Sequence, residues 1–271
     1  MSLSTASAGG ARPIACAQCH LRRSTICGAV PLAQIAELAA ATSVLELPAG
    51  TTLIREGEPA TDYFIITHGT ATIFKLMPDG RRQVIDFAGA GRFVGPGVSA
   101  ASAFSVEAIE RLRVCRFTRS SLGALLKRFP AMERRLLDMA ASALAAAQEQ
   151  MLLLGRKTAR ERLASFLMIQ SRQATAFGAS RERMIRLPMS RLGIADYLGL
   201  TTETVCRTLA QLRIEGIVEF LTPSKLVIRD ATALECLAHG STRASDRPRS
   251  PLTRVPNGAD RHIVVAELCA G

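Results

Sequence analysis

The chain of 271 residues contains no Trp and only two Tyr. That scarcity argues against a carbohydrate or single-strand groove built on stacked aromatic rings. No apolar run approaches the roughly 18 residues of a membrane span. The N-terminus shows no basic stretch leading into an apolar core, so we expect a cytoplasmic protein without a membrane partner. Catalytic motifs are missing as well. There is no phosphate loop, no nucleophile elbow and no HExxH, and the glycines of GAGRFVG (89–95) lack the GxGxxG order. Glu56, Glu58 and Asp62 cluster in a turn, where solvated carboxylates are usual. We expect no enzyme.

What is present is positive charge. Lys and Arg number 34 against 23 Asp and Glu, giving a net charge of +11. Residues 155–229 hold 13 basic and 6 acidic side chains, so +7 of that excess lies in one stretch. A cluster of this kind is the usual electrostatic footprint of nucleic-acid binding. The length suggests about two domains, and a hydrophobic fraction of 48% supplies cores for both.

Residues 31–41 read as a helix. From Ser43 the pattern becomes short extended runs (SVLEL, TTLIRE, DYFIITHG, TATIFKL, RQVIDF) broken by turn residues, with a hairpin at Met77–Gly80. Strands at this spacing suggest a small sandwich or barrel. Pro130 opens a long helix rich in Ala, Leu and Met. Leu137, Leu144 and Met151 recur in it every seven residues with Ala147 alongside, which suits a dimer seam. Gly155 is expected to end that helix, and a basic helix (Arg156–Gln173) to follow. Residues 179–229 read as strand, helix, turn, helix and strand pair.

The sharpest pattern is Arg191–Ala210, RLGIADYLGLTTETVCRTLA. Ala195 permits close approach of two helices, Gly199 suits a positive-φ turn, and Ile194, Leu198, Leu200 and Val205 fill the space between. Thr201 is a good N-cap. The start of the second helix of such a motif meets base edges. Thr202, Glu203, Cys206 and Arg207 lie there. Arg207 can donate twice to guanine and Glu203 can accept from cytosine. Duplex DNA is the expected partner.

MSRLGIADYLGLTTETVCRTLAQLRIEGIVEF resembles the winged-helix domain of the CRP/FNR family of bacterial transcription regulators, and the resemblance covers about residues 14–239. It implies an α+β architecture in which a cyclic-nucleotide-binding-like β-roll, a long dimerisation helix and a winged helix-turn-helix follow in order. The expected divisions are a flexible, cysteine-bearing start (1–30), the β-roll (31–129), the dimer helix (130–154), the DNA-binding domain (155–239) and a disordered tail (240–271). Glu203 and Arg207 match the FNR pattern, while Cys206 replaces its serine. The resemblance further implies a TTGA-type palindrome, a homodimer, and contact with RNA polymerase through the Asp79–Asp86 loop. FNR carries an acidic residue in its dimer helix that is absent around Ala147 here, so oxygen is expected to act less on monomerisation than on orientation.

The seven cysteines (16, 19, 27, 115, 206, 236 and 269) are odd in number and irregularly spaced, which does not suggest a disulfide framework. Cys16-x2-Cys19-x7-Cys27 can chelate a metal ion or neighbouring cluster irons, but three ligands leave either site incomplete. Spacing alone leaves zinc open. The resemblance implies a [4Fe-4S] cluster held by Cys16, Cys19, Cys27 and Cys115, the last within VCRFTRSSL, with oxygen sensing as its purpose. The alternative is a regulator of this fold using zinc or a small-molecule effector instead. Cys206, beside Arg207 and a helix N-terminus, is a candidate redox thiol. His20, beside a cysteine, is taken as a bystander, and His68, in a strand–turn signal, as structural. The nucleotide pocket of the fold needs a Gly-Glu turn and an Arg-Ser pair. Here Gly91 precedes Arg92 and no Arg-Ser pair occurs in the segment, so no cyclic nucleotide is expected. Titration with cyclic AMP should leave operator affinity unchanged, and tighter binding in a mobility-shift assay would show this reading of 91–108 to be mistaken.

Overall fold

The computed structural model describes residues 16–95, 100–176 and 184–240. The chain divides into two compact units, 1–146 and 147–271. In the first unit three short 3-10 turns (Arg22–Ser24, Ile26–Ala29 and Leu32–Gln34) lead into α1 (Ile35–Ala40). Eight strands follow: β1 (Ser43–Leu47), β2 (Thr52–Ile54), β3 (Asp62–His68), β4 (Ala71–Leu76), β5 (Arg82–Ala88), β6 (Phe93–Val94), β7 (Ser105–Ala108) and β8 (Leu112–Thr118). They form two antiparallel four-stranded sheets, β1-β8-β3-β6 and β2-β7-β4-β5. The expected β-roll is therefore present, and its β4–β5 hairpin turns at Met77–Gly80, where Gly80 takes φ +85°.

Strand alternation decides what each sheet face covers. Phe64, Ile66, Leu112 and Val114 from one sheet share a core with Ile73, Val106 and Ala108 from the other. The intervening residues Ile65, Cys115 and Phe117 belong to a second apolar cluster with Ile26, Val30, Leu38, Leu122, Leu125, Phe129 and Met132. Sheet β1-β8-β3-β6 is thus apolar on both faces. Its second face receives the cysteine-bearing segment, α2 (Arg119–Arg128) and the start of α3 (Pro130–Arg156). The sequence pattern suggests a flexible segment over residues 16–30. The structure corrects this, because Leu21, Ile26 and Val30 are buried and draw the segment into the core. Residues 1–15 and 241–271, the rest of the expected start and tail, lie outside the described residues.

The long helix α3 passes Gly155 and ends at Arg156. One glycine costs a helix only about 1 kcal/mol, so it does not stop one by itself. The next helix, α4 (Ala159–Ala176), is started by a capping box. Thr158 N–H donates to Glu161 Oε2 at 2.8 Å and Glu161 N–H donates to Thr158 Oγ1 at 3.4 Å. That signal is legible in the sequence as T-x-x-E.

The second unit continues with β9 (Met184–Arg186), α5 (Arg191–Leu198), α6 (Thr202–Ile214), β10 (Val218–Thr222), β11 (Lys225–Ile228) and α7 (Ala231–Ala238). Strands β10, β11 and β9 make one antiparallel sheet. Helix α7 goes beyond the elements expected from sequence, and Asp230 caps it by accepting from Ala233 N–H at 2.9 Å. Helices α5 and α6 meet at Gly199, whose φ of +61° is left-handed. An added Cβ there would meet only Arg162 Nη1 at 3.5 Å and Leu154 Cδ2 at 3.6 Å, so the obstacle is backbone conformation and not space. Gly199→Ala should cost about 1–2 kcal/mol, with Gly199→Asn recovering part of it, as read by chemical denaturation followed by circular dichroism.

Candidate functional site

Two places carry the sequence-predicted residues. The first is the helix-turn-helix. Ser190 caps α5 by accepting from Gly193 N–H at 3.1 Å, and Thr201 caps α6 by accepting from Thr204 N–H at 3.2 Å. Ile194, Ala195, Leu198 and Val205 are buried, and Leu200 is half-buried, as the pattern requires. Glu203 and Arg207 stand on the opposite face of α6, with side chains 84% and 70% exposed and charged atoms 3.7 Å apart. Both are free to reach a base edge, since an exposed i,i+4 pair is held by only a few tenths of a kcal/mol, roughly 0.3–0.5. Thr202 is half-buried beside them.

Cys206 differs from its expectation. It is fully buried and disulfide-bonded, not a free thiol at a DNA-facing surface. The helical period explains its place: Val205, Leu209 and Ala210 lie on the buried side of α6, and position 206 turns with them.

Sequence reasoning misses Arg191. It is 4% exposed, and its Nη2 donates to the Pro223 carbonyl at 2.7 Å in the β10–β11 turn. Burial pushes its pKa down, and its guanidinium lies 5.5 Å from the Phe220 ring centroid. A buried arginine thereby ties the first helix of the motif to the strand pair that forms the wing. Arg162 acts similarly within this unit. Its three nitrogens donate to the carbonyls of Lys157, Leu154 and Leu198 at 2.8–2.9 Å, which are orphan acceptors at helix ends.

The second place is a cavity of about 640 Å³ in the first unit, lined by Cys16, Cys19, Cys27 and Cys115. All four thiols are free and half-buried. Three come from the segment before α1 and one from β8, so the fold brings together residues 88 positions apart. Burial raises the Cys16 thiol, pushes Cys27 up to about 11 and pushes Cys115 up to about 12, while the neighbouring thiols add to the rise. Arg22 opposes the shift at Cys16 and Cys27, and Arg113 opposes it at Cys115. Unaided, burial favours the protonated thiol at Cys16, Cys27 and Cys115. A ligand that takes them as thiolates must bring positive charge. Among the described residues no three ligating groups lie close enough to hold a single metal ion. His20, read as a bystander, and His68, read as structural, also line this cavity, as do Arg111 and Glu46. His20 adjoins Cys19 in the chain, whereas sequence spacing carries no sign of Glu46, His68 and Arg111, which come from separate segments.

Residues 44–129 match the cyclic nucleotide-binding domain, and residues 161–237 match the Crp-like helix-turn-helix domain. The nitrogen fixation regulation protein FixK of Bradyrhizobium diazoefficiens is 34% identical over 223 residues, covering 82% of this chain and 93% of that protein. The chain belongs to the CRP/FNR family of transcription regulators. The transcriptional activator protein FnrL of Cereibacter sphaeroides is 33% identical over 81% of this chain and 90% of its own length. The solved structure of FixK2 from Bradyrhizobium japonicum superposes with a TM-score of 0.68 at 37% identity, covering 72% of this chain and 96% of that one.

The chain is thus a CRP/FNR regulator with a DNA-binding helix-turn-helix, and Glu203 and Arg207 stand exposed on its second helix. Along α3 of this regulator Leu137, Leu144 and Met151 are 63%, 62% and 72% exposed, with Ala147 exposed among them. Arg207→Ala should weaken operator binding by about 1–3 kcal/mol, the usual value of a two-bond guanine contact, and relax the preference for guanine. Binding to matched and guanine-substituted duplexes measures both. An unchanged preference would remove Arg207 from base reading.

Proposed function

We propose that this regulator is an oxygen-responsive transcription activator that holds a [4Fe-4S] cluster on Cys16, Cys19, Cys27 and Cys115. It binds a TTGA-type palindrome as a homodimer and contacts RNA polymerase. One observation carries the reading: four free thiols from two distant segments line one cavity in a family where the similar proteins are named as FixK and Fnr regulators. A single zinc ion, with Zn–S bonds of about 2.3 Å, draws its ligands close together, and no group of three or more ligating residues suited to one ion stands among the described residues. A polynuclear group spreads its ligands further apart and supplies the positive charge that buried thiolates require.

The chain's own residues suggest how the cavity reaches the long helix. Cys27 and Cys115 pack against the apolar cluster that contains Met132 of α3, and Leu136 and Met139 border the same cluster. Arg135 of α3 donates to the Arg23 carbonyl, in the turn between Cys19 and Cys27. When bound, the cluster supplies an oxygen-labile tie between residues 16–27 and Cys115. Without that tie the 22–24 turn is free to shift, and Arg135 and Met132 lose a fixed support. The exposed heptad stripe at Leu137, Leu144, Ala147 and Met151 supplies the homodimer seam. Two reading helices then meet half-sites about one helical turn apart, and the excess charge of residues 155–229 supplies a salt-dependent hold on phosphate.

Protein purified or reconstituted without oxygen should contain about four irons and four sulfides per chain, the composition of this cluster type. It should bind the operator more tightly than the same sample after air exposure. A colourless, iron-free protein with equal operator binding under both conditions would sink the reading.

A further inference from the structure

Arg22 lies three residues after Cys19 and five before Cys27, in the first 3-10 turn. Its Nη2 donates to the Val30 carbonyl, which anchors the guanidinium at the wall of the cysteine cavity. Its Nε is buried and has no acceptor. An unmet buried donor is costly, and more so on a charged group. The other cations of the same wall are differently placed. Arg111 lies 2.8 Å and Arg113 3.9 Å from Glu46, so each already faces a carboxylate. Among the described residues no carboxylate lies within ion-pair distance of Arg22. Its charge is turned toward thiols instead.

This inference rests on the cavity being an iron–sulfur site. Four thiolates around an iron–sulfur core leave a net negative charge, and hydrogen bonds to the sulfurs tune such a group's potential. We propose that Arg22 balances that charge and that its Nε is reserved for a sulfur of the bound group, setting the group's potential and its lifetime in oxygen. A fixed cation and an N–H donor both favour the more negatively charged state. Both therefore raise the potential and oppose the loss of an electron to oxygen. Lysine at this position keeps the charge but cannot serve the Val30 carbonyl and the cavity through separate nitrogens. Glutamine removes the charge. Arg22 is in these terms a positioning and tuning residue, not a ligand.

The test compares full-length wild type, Arg22→Lys and Arg22→Gln, each reconstituted anaerobically with iron and sulfide. Iron and sulfide content, mediated redox titration, the decay of visible absorbance in air and far-ultraviolet circular dichroism are read on each. The expected result is wild-type secondary structure in both variants. Arg22→Gln should show a more negative potential and a decay about tenfold faster, with Arg22→Lys between it and the wild type. Variants that load fully and match the wild type in potential and decay would overturn the role of Arg22 alone. Failure of both variants to load, while the wild type loads, would assign Arg22 to folding of the loop and also overturn it. A wild type that takes up no iron or sulfide is a different result: it overturns the cluster reading itself and this proposal with it.

Discussion

The alternation of strand β8 is the constraint on which the first unit depends. Leu112 and Val114 face the core between the two sheets, whereas Cys115 and Phe117 face the cluster that holds the cysteine segment and the start of the long helix. Because side chains alternate strictly, a slip of one residue would exchange the two sets. Cys115 would then enter the β core, and the cavity would lose the one thiol that comes from the sheet. The register with β1 and β3, in which Cys115 faces Val44 and Ile65, prevents this by matching apolar residues on both faces at once. Phe117 is fully buried and secures the same choice.

The second unit depends on a different device, the satisfaction of helix ends. Each helix leaves several backbone groups without partners inside itself. Ser190, Thr201 and Asp230 meet donors at three N-termini. Arg162 meets acceptors near the ends of α3 and α5, and Arg191 meets one in the wing turn. These are charged groups used as internal braces. They explain why a stretch with +7 net charge does not place all of its arginines at the DNA surface. The exposed Arg207 and the buried Arg191 have the same chemistry and opposite surroundings.

Much of the site is legible in the amino-acid sequence alone. The helix-turn-helix follows from Ala195, Gly199 and the caps around them, since each answers a local steric or hydrogen-bonding demand. The strands and the Met77–Gly80 hairpin follow from alternation and turn residues. Other features are not legible locally. Cys206 has the same neighbours in sequence whether it faces DNA or the interior, and only its angular position against the packed side of α6 makes it buried. The helix end near Gly155 departs from expectation because a single glycine is a weak local breaker, and the capping box at Thr158 and Glu161 is the stronger signal. Residues 16–30 look unstructured in sequence because their apolar residues lack a period. They are ordered by burial against the sheet and not by propensity.

The sequence by itself determined which residues carry the chemistry: an N-terminal cysteine spacing, a glycine-centred helix pair and a concentration of positive charge. Those are local patterns, and local geometry enforces them. Only the tertiary structure decided which of them share a space. It placed Cys115 with three cysteines from another segment, set Arg22 at their wall and turned Cys206 inward. The reason is that such contacts are fixed by sheet register and by burial of apolar faces, which join residues far apart in the chain.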